Sequence, residues 1–243
     1  YNVQLGAFSE LEILSGMMKK YEKPVHLTFN SLYYIPEQYP EIAGIISQCM
    51  KIGFHSYIIA DPALMVYLRE NGINCEIHLS GECGEINSQM VASLGKLGLK
   101  RVIFHRKNSL EDMQSCIKEA DFPHEYEAFI LNELCHFSGA FCNSLHCDEL
   151  THLCRVPYEL GNLHKKEETD AAQKDVAETD RIQEKEGKGL PLDEDGYLTG
   201  STGCGLCALY RMKQVGITHL KLVGRGNYTD FMEKDIRQLR KAL

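Results

Sequence analysis

The chain has 243 residues, of which 44% are hydrophobic and 25% are charged, a balance typical of folded domains rather than disordered chains. With 26 Lys and Arg residues against 34 Asp and Glu residues, the formal net charge is −8, which argues against a broad nucleic-acid-binding face. No run approaches the ~18 uncharged apolar residues of a membrane span, and no secretory signal opens the chain. We therefore expect a cytoplasmic protein without membrane spans.

Short apolar runs alternate with segments of helical periodicity along the chain. The runs that predict buried strands are Asn2–Leu5, Val25–Phe29, Tyr57–Ala60, Cys75–Leu79, Arg101–His105, Ala128–Leu131 and His219–Val223. Apolar residues at three- and four-residue spacing predict helices at Ser9–Tyr21, Pro40–Lys51, Pro62–Glu70, Ile86–Leu97 and Ser109–Ala120. Ser9 and Ser109 are the expected N-caps, and Gly53, Gly72 and Gly98 are expected to close helices.

Alternating strands and helices predict an α/β fold with a parallel sheet. About seven such strands, with no glycine-rich phosphate loop after the early ones, favour a TIM-barrel-like (β/α)8 fold over an open doubly wound sheet. We expect a single domain over residues 1–243. The stretch Lys165–Lys188 is dense in charge and nearly free of apolar residues, which predicts a solvated insertion at about residues 165–200, before the last βα unit.

Polar side chains cluster at the predicted carboxyl ends of the strands, where βα-barrels carry their chemistry. The candidates for a catalytic or substrate-binding role are Asp61, His78, Arg106 and Arg225. Asp61 precedes a proline and has the alternative role of capping the next helix. Each arginine at a strand end needs an anionic partner, so a structural ion pair and a substrate contact are both open for Arg106 and Arg225.

The ten cysteines fall into two groups. Cys49, Cys75 and Cys116 lie in or beside apolar stretches and are expected to be buried packing residues, while the surroundings of Cys83 are less informative. The other six form the patterns Cys135-x6-Cys142-x4-Cys147-x6-Cys154 and Cys204-x2-Cys207. Four convergent thiolates suit an iron–sulfur cluster or a structural zinc ion, and the spacing alone does not choose between them.

Several of these motifs resemble those of the peptidase U32 (collagenase-like protease) family. The strongest match is the segment from Glu127 to Cys142, in which a buried strand leads into a cysteine, an aromatic-Ser-Gly triplet and a second cysteine. The element from Cys154 to Tyr158 and the closing segment from Gly216 to Arg225 are also similar to family motifs. Shorter matches occur at Thr28–Asn30, Ala60–Pro62, Ile77–Ser80 and Arg101–Arg106, so the resemblance covers nearly the whole chain.

The resemblance implies a TIM-barrel-like fold and a [4Fe-4S] cluster, with structural zinc as the alternative. Carried over by position, the ligands are Cys135, Cys142, Cys154 and Cys204, with Cys147 and Cys207 as substitutes for the last two. The chain departs from the family pattern at Asn132-Glu133, where the family has His-Gly, and at Lys107, where it has Glu. From the resemblance we also expect a barrel that is incomplete at the N-terminus, without the opening strand–helix unit before Tyr1, and a short form of the family without the C-terminal accessory domain.

The resemblance further implies oxygen-independent hydroxylation of a small molecule or nucleobase. In this interpretation Arg106, Arg155 and Arg225 hold an anionic substrate or oxygen donor. The acidic charge favours a small molecule over RNA, and a homo- or heteromeric U32-type partner would complete the barrel. The alternatives are a U32-type peptidase, which has no Gly-x-Ser-x-Gly or His-Glu-x-x-His motif in its support, and a non-catalytic cluster-bearing subunit.

Overall fold

The computed structural model describes residues 8–84, 86–120, 125–131, 205–222 and 229–243, apart from the side chain of Phe231. The helices are α1 (Phe8–Tyr21), α2 (Gln38–Ile52), α3 (Pro62–Glu70), α4 (Ser88–Gly95), α5 (Leu110–Glu119), α6 (Leu209–Val215) and α7 (Thr229–Ala242). The strands are β1 (Leu27–Phe29), β2 (Ser56–Ile59), β3 (Glu76–Leu79), β4 (Leu99–Ile103), β5 (Glu125–Phe129) and β6 (His219–Lys221). The predicted strand at Asn2–Leu5 and the charged insertion at residues 165–200 lie outside the described residues.

Within these ranges the six strands form one parallel sheet in the order β1-β2-β3-β4-β5-β6. Each strand therefore pairs with the next strand along the chain. A doubly wound sheet reverses its strand order at a switch point, whereas a β/α barrel adds its strands in sequence. The α/β prediction with a parallel sheet is confirmed, and the strand order is the one found in β/α barrels.

The two faces of the sheet differ sharply in chemistry. One face packs against the helices, and its strand residues in the hydrophobic core are Leu27, Tyr57, Ile59, Ile77, Leu79, Leu99, Val102, Tyr126 and Ala128. Strand side chains alternate between faces, and the pairing register places a second set together on the opposite face. This opposite face, named the inner face below, carries Glu76, His78, Arg101, Glu125, Glu127, His219 and Lys221.

An irregularity between β3 and β4 fixes which residues meet on the inner face. Ile77 pairs with Leu99, but His78 pairs with Arg101, so β4 contributes one extra residue, Lys100, between the two pairs. The Lys100 side chain is half-exposed. The shift keeps Leu99 and Val102 on the helix-packed face and places Arg101 beside His78 on the inner face.

Local capping explains several helix boundaries. Ser109 and Asp112 form a reciprocal capping box at the start of α5, as the sequence predicts. Gly53 closes α2 in a left-handed conformation with φ of 119°, which glycine adopts without a Cβ clash. The N-cap prediction for Ser9 is wrong, because α1 already begins at Phe8 and includes Ser9.

The helices of the described chain are short relative to the thickness of a bilayer. None of them is both long enough and apolar enough to cross a membrane. The longest described helix is α2, with 15 residues, short of the ~20 apolar residues that a span needs.

Candidate functional site

Asp61 follows β2 at the carboxyl edge of the sheet and is buried. Its Oδ1 accepts a hydrogen bond from the Ala63 amide at 2.8 Å, which caps α3, and its Oδ2 accepts one from the Tyr39 hydroxyl at 2.7 Å. The hydrogen bond to Asp61 raises the pKa of Tyr39, because ionised tyrosine would lose its donor. Asp61 therefore performs the capping role that the sequence left open, and both of its oxygens are engaged.

Arg106 follows β4 at the same edge. Its guanidinium forms an ion pair with Glu82 at 3.2 Å and lies 4.1 Å from the ring centroid of Phe129, at the end of β5. The Lys221 ammonium lies 5.2 Å from the same centroid. Two cations thus converge on one aromatic ring at the carboxyl edge, within the range of cation–π attraction.

His78 is the last inner-face residue of β3, and its side chain is completely buried. Its Nε2 lies 2.9 Å from Oε1 of Glu76, two residues earlier on the same face. The His26 ring packs against it with a centroid distance of 4.6 Å, and Nδ1 of His26 bonds the Ser56 hydroxyl. The four side chains form one group, held by two hydrogen bonds and by the tilted contact between the two rings, across β3, β2 and the residue before β1.

Burial lowers the pKa of both histidines. For His78, removal from water is the largest cause, and the His26 and Arg101 charges act in the same direction against the Glu76 hydrogen bond. For His26, burial is again the largest cause, followed by Arg101, while Glu76, Glu127 and Glu125 oppose them. Both rings are therefore neutral at neutral pH, since a lowered pKa lies below the usual value near 6.5.

Arg101 anchors an ion network on the inner face. Its Nε and one terminal nitrogen donate to Oε2 of Glu125 at 2.9 and 2.7 Å, and the other terminal nitrogen donates to Oε2 of Glu127 at 2.7 Å. Oε1 of Glu127 lies 3.6 Å from the Lys221 ammonium. The network connects β4, β5 and β6. In β/α barrels the inward-facing strand residues are more often Val, Ile and Leu.

Of the six cysteines proposed as ligands, the structure describes Cys207 alone. It is a free, exposed thiol in a short 3₁₀ turn before α6. Cys135, Cys142, Cys147, Cys154 and Cys204 lie outside the described residues, as do Arg155 and Arg225. Among the residues with a described placement, no group of three or more His, Cys, Asp or Glu is arranged to hold a metal ion.

The described residues that flank these cysteines lie together. A Cβ built on Gly205 would stand 3.3 Å from Cγ1 and 3.9 Å from Cα of Ile130, directly after β5. Cys204 is covalently joined to Gly205, and Cys135 is five residues from Ile130. The fold thus returns the chain after the cysteine-rich stretch to the point at which it left the sheet.

The remaining cysteine expectations concern packing. Cys49, Cys75 and Cys116 are buried, as predicted. Cys83 is partly buried in the 3₁₀ turn after β3, where burial and the nearby Asp61 carboxylate raise the pKa of its thiol to about 11. A thiol with so high a pKa is protonated at neutral pH and is a poor nucleophile.

The chain matches the model of a known protein family over nearly its whole length. The model of peptidase family U32 matches residues 4–243. The chain belongs to peptidase family U32. The U32 chain is 27% identical over 225 residues to tRNA hydroxylation protein P of Escherichia coli (strain K12). The match covers 80% of this chain and 49% of that protein.

A second relative of the U32 chain is tRNA hydroxylation protein P of Haemophilus influenzae, 33% identical over 85 residues, or 35% of this chain and 18% of that protein. The chain spans about half the length of the Escherichia coli relative. Among solved structures, U32 peptidase Mk0906 matches with a TM-score of 0.43 and 13% identity, over 51% of this chain and 52% of that one. CutC of Streptococcus agalactiae, named for copper homeostasis, matches with a TM-score of 0.41 and 9% identity, over 51% and 70%.

The predicted site residues of the U32 chain that are described have separate partners. Asp61 bonds Tyr39, His78 bonds Glu76, and Arg106 pairs with Glu82. Neither partner carboxylate, Glu76 or Glu82, belongs to a motif identified in the sequence. The sequence does contain a signal for Glu76, because it lies two residues before His78 and residues i and i+2 of a strand lie on the same face.

Proposed function

We propose that this U32 chain takes part in the hydroxylation of a nucleobase in RNA. The observation that carries the proposal is the similarity to tRNA hydroxylation protein P over 80% of the chain. The net charge of −8 does not favour broad phosphate contact, so recognition would rest on local groups at the carboxyl edge of the sheet. A small molecule remains the second substrate class, because the chain is acidic and spans about half of that relative.

We further propose that the sheet belongs to a (β/α)8 barrel. The sequential order of its six parallel strands supports this architecture. In the described chain β1 and β6 are the two ends of the sheet, and a complete barrel has neighbours for both. Those neighbours would come from segments outside the described residues or from a homo- or heteromeric U32-type partner.

A [4Fe-4S] cluster is proposed at the carboxyl edge of β5. Its ligands would be Cys135, Cys142, Cys154 and Cys204, with Cys147 and Cys207 as the alternatives. The packing of Gly205 on Ile130 supports this set, because it brings the residue after Cys204 close to a position five residues before Cys135. When bound, such a cluster would supply redox chemistry.

The chain's own cations would hold the anionic part of the substrate or oxygen donor. Arg106 is the described candidate, and Arg155 and Arg225 are proposed with it. The ion pair to Glu82 and the face of Phe129 hold the Arg106 guanidinium in a defined orientation at the carboxyl edge. A guanidinium held in one orientation matches the planar geometry of a phosphate or carboxylate, which is the reason for proposing Arg106.

The cluster is tested by metal analysis of protein purified without oxygen. We expect about four iron and four sulfide per chain and a brown colour, with both lost in the Cys135→Ala, Cys142→Ala and Cys204→Ala variants. Cys207→Ala separates the two ligand assignments, because iron retained in this variant and lost in Cys204→Ala supports Cys204, and the reverse supports the exposed Cys207. One bound zinc per chain with no iron would contradict the cluster.

The reaction is tested on tRNA from cells with and without the gene. Nucleoside mass spectrometry should find one nucleoside that carries an additional oxygen atom only when the gene is present. This nucleoside should be absent when the gene carries the Arg106→Ala substitution. Glu233→Ala, on the exposed surface of α7, is the control. Unchanged nucleosides with an intact cluster would support a small-molecule substrate or a non-catalytic cluster-bearing subunit, and peptide hydrolysis by the iron-free protein would indicate a peptidase.

A further inference from the structure

A buried nitrogen atom near the carboxyl end of β3 has no hydrogen-bond partner among the described residues. The His78 side chain is completely buried, and its Nδ1 has no hydrogen-bond partner in the described part of the chain. Native proteins pair nearly all such atoms, since an unpaired one loses its bond to water without replacement. An exception in the last inner-face position of a strand falls where βα-barrels place ligand-binding groups.

The partner of the other ring nitrogen determines what Nδ1 offers. Nε2 lies 2.9 Å from a carboxylate oxygen of Glu76, and a carboxylate accepts hydrogen bonds but does not donate them. Nε2 must therefore carry the proton. Because burial lowers the pKa of His78 and keeps the ring neutral, Nδ1 is left with a lone pair and no proton.

The surroundings hold the ring in this orientation. His26 packs on it at 4.6 Å between centroids and is itself bonded to Ser56. Across the sheet, His78 pairs in register with Ile58 on one side and Arg101 on the other. The Arg101 guanidinium is directed to Glu125 and Glu127 by three hydrogen bonds, so the described contacts give Nδ1 no donor from this neighbour.

We propose that Nδ1 of His78 is the hydrogen-bond acceptor for an N–H group on the edge of the substrate nucleobase, and that Glu76 is the positioning residue that fixes the acceptor tautomer. The proposal rests on the function proposed above for its substrate class. The acceptor would select bases that present an N–H donor and disfavour isosteres methylated at that nitrogen, since a buried acceptor facing a methyl group stays unpaired.

The tautomer is measured first, without substrate, in protein labelled with ¹⁵N at histidine. A long-range ¹H–¹⁵N correlation should show an unprotonated Nδ1 and a protonated Nε2 for His78 at neutral pH. In the Glu76→Ala variant we expect a mixture of both tautomers, while the exposed His55 gives the same spectrum in both proteins. A protonated Nδ1 in the wild-type protein would overturn the proposal.

Binding is measured next, with an unmodified tRNA transcript and fluorescence anisotropy. Glutamine places its amide near Nε2 and asparagine near Nδ1, so His78→Gln removes the acceptor and His78→Asn retains one. We expect Kd to rise about tenfold in His78→Gln and less than about threefold in His78→Asn, as for one buried hydrogen bond. His55→Gln is the matched control and should bind as the wild type does.

The outcomes separate the two proposals. Equal Kd values for folded His78→Gln and wild type would overturn the role of His78 and leave the proposed function standing. If the wild-type protein does not bind the transcript, the proposed function fails. The His78 proposal is then decided by following the Nδ1 resonance during a titration with uridine in place of the transcript. A shift of the Nδ1 resonance with uridine and none with N3-methyluridine supports it, and equal shifts with both contradict it.

Discussion

Replacing Arg101 by methionine tests whether the inner-face ion network stabilises the fold. Methionine has a similar length but no charge, so it keeps much of the packing and removes three hydrogen bonds to Glu125 and Glu127. Glu127 then retains Lys221 at 3.6 Å, and Glu125 retains Lys100 at 3.3 Å. The variant therefore leaves two carboxylates in place with weaker partners.

The expected cost follows from how deeply each carboxylate is buried. The exposed fraction of the side chain is 12% for Arg101, 10% for Glu127 and 29% for Glu125. Loss of one partner from a fully buried ion pair costs about 3–5 kcal/mol, and the partial exposure of Glu125 places the expectation near the lower value. We expect Arg101→Met to lower the free energy of unfolding by about 3 kcal/mol.

Urea unfolding followed by circular dichroism measures this change. The control is Arg237→Met, which removes the partner of Glu233 on the exposed surface of α7 and should cost less than about 0.5 kcal/mol. Glu127→Gln should cost about 1 kcal/mol less in the Arg101→Met background than alone, because the two residues share one interaction. Equal effects of the Arg101 and Arg237 variants would refute the reasoning.

Three further variants test local features. Asp61→Ala removes the cap of α3 and the acceptor of a tyrosine hydroxyl, so thermal unfolding should give a loss of about 2 kcal/mol. Gly81→Ala should destabilise by at least about 1 kcal/mol in the same assay, because its Cβ would stand 2.9 Å from the Phe104 carbonyl oxygen. Hydrogen bonds from Ser109 lower the pKa of Asp112 below its usual value of 3.8, so the advantage of wild type over Asp112→Asn should be full at pH 6 and decrease as the pH falls below about 4, measured by urea unfolding across this range.

The sign in the Asp112 experiment follows from the ionised form. A carboxyl group whose pKa is lower in the folded than in the unfolded state stabilises the fold above its unfolded value and loses this contribution as pH falls. The same direction applies to Glu125, where burial would raise the pKa but the hydrogen bonds and charges of Arg101 and Lys100 lower it. A difference between wild type and Asp112→Asn that grows toward acid pH would contradict this account.

The strand–helix order was predictable because apolar periodicity marks each element that packs into the core. Helix α3 begins and ends at the predicted residues, Pro62 and Glu70, where a proline follows the capping aspartate. The prediction failed most at β5, which begins at Glu125 rather than Ala128. Two glutamates in a short stretch resemble a loop when read alone, and their pairing with Arg101 across the sheet compensates for placing them in a strand.

The candidate site was predictable in position but not in connectivity. Strand ends correctly marked Asp61 and Arg106 as residues of the carboxyl edge, because parallel strands finish at the same edge. Their partners depend on register and on turns that no local pattern specifies. Arg106 meets Glu82 only because the turn after β3 lies beside the end of β4, and the one-residue shift between β3 and β4 has no evident sequence signal.

The contact between Gly205 and Ile130 has a consequence for how this protein tolerates change in length. Ile130 and Gly205 lie at adjoining points beside the sheet, so a change in the number of residues between these two positions need not alter the distance that the sheet requires. Closing a chain segment costs only about 0.6 kcal/mol more for each doubling of its length. Homologues are therefore free to differ widely in this segment while the six strands keep one geometry.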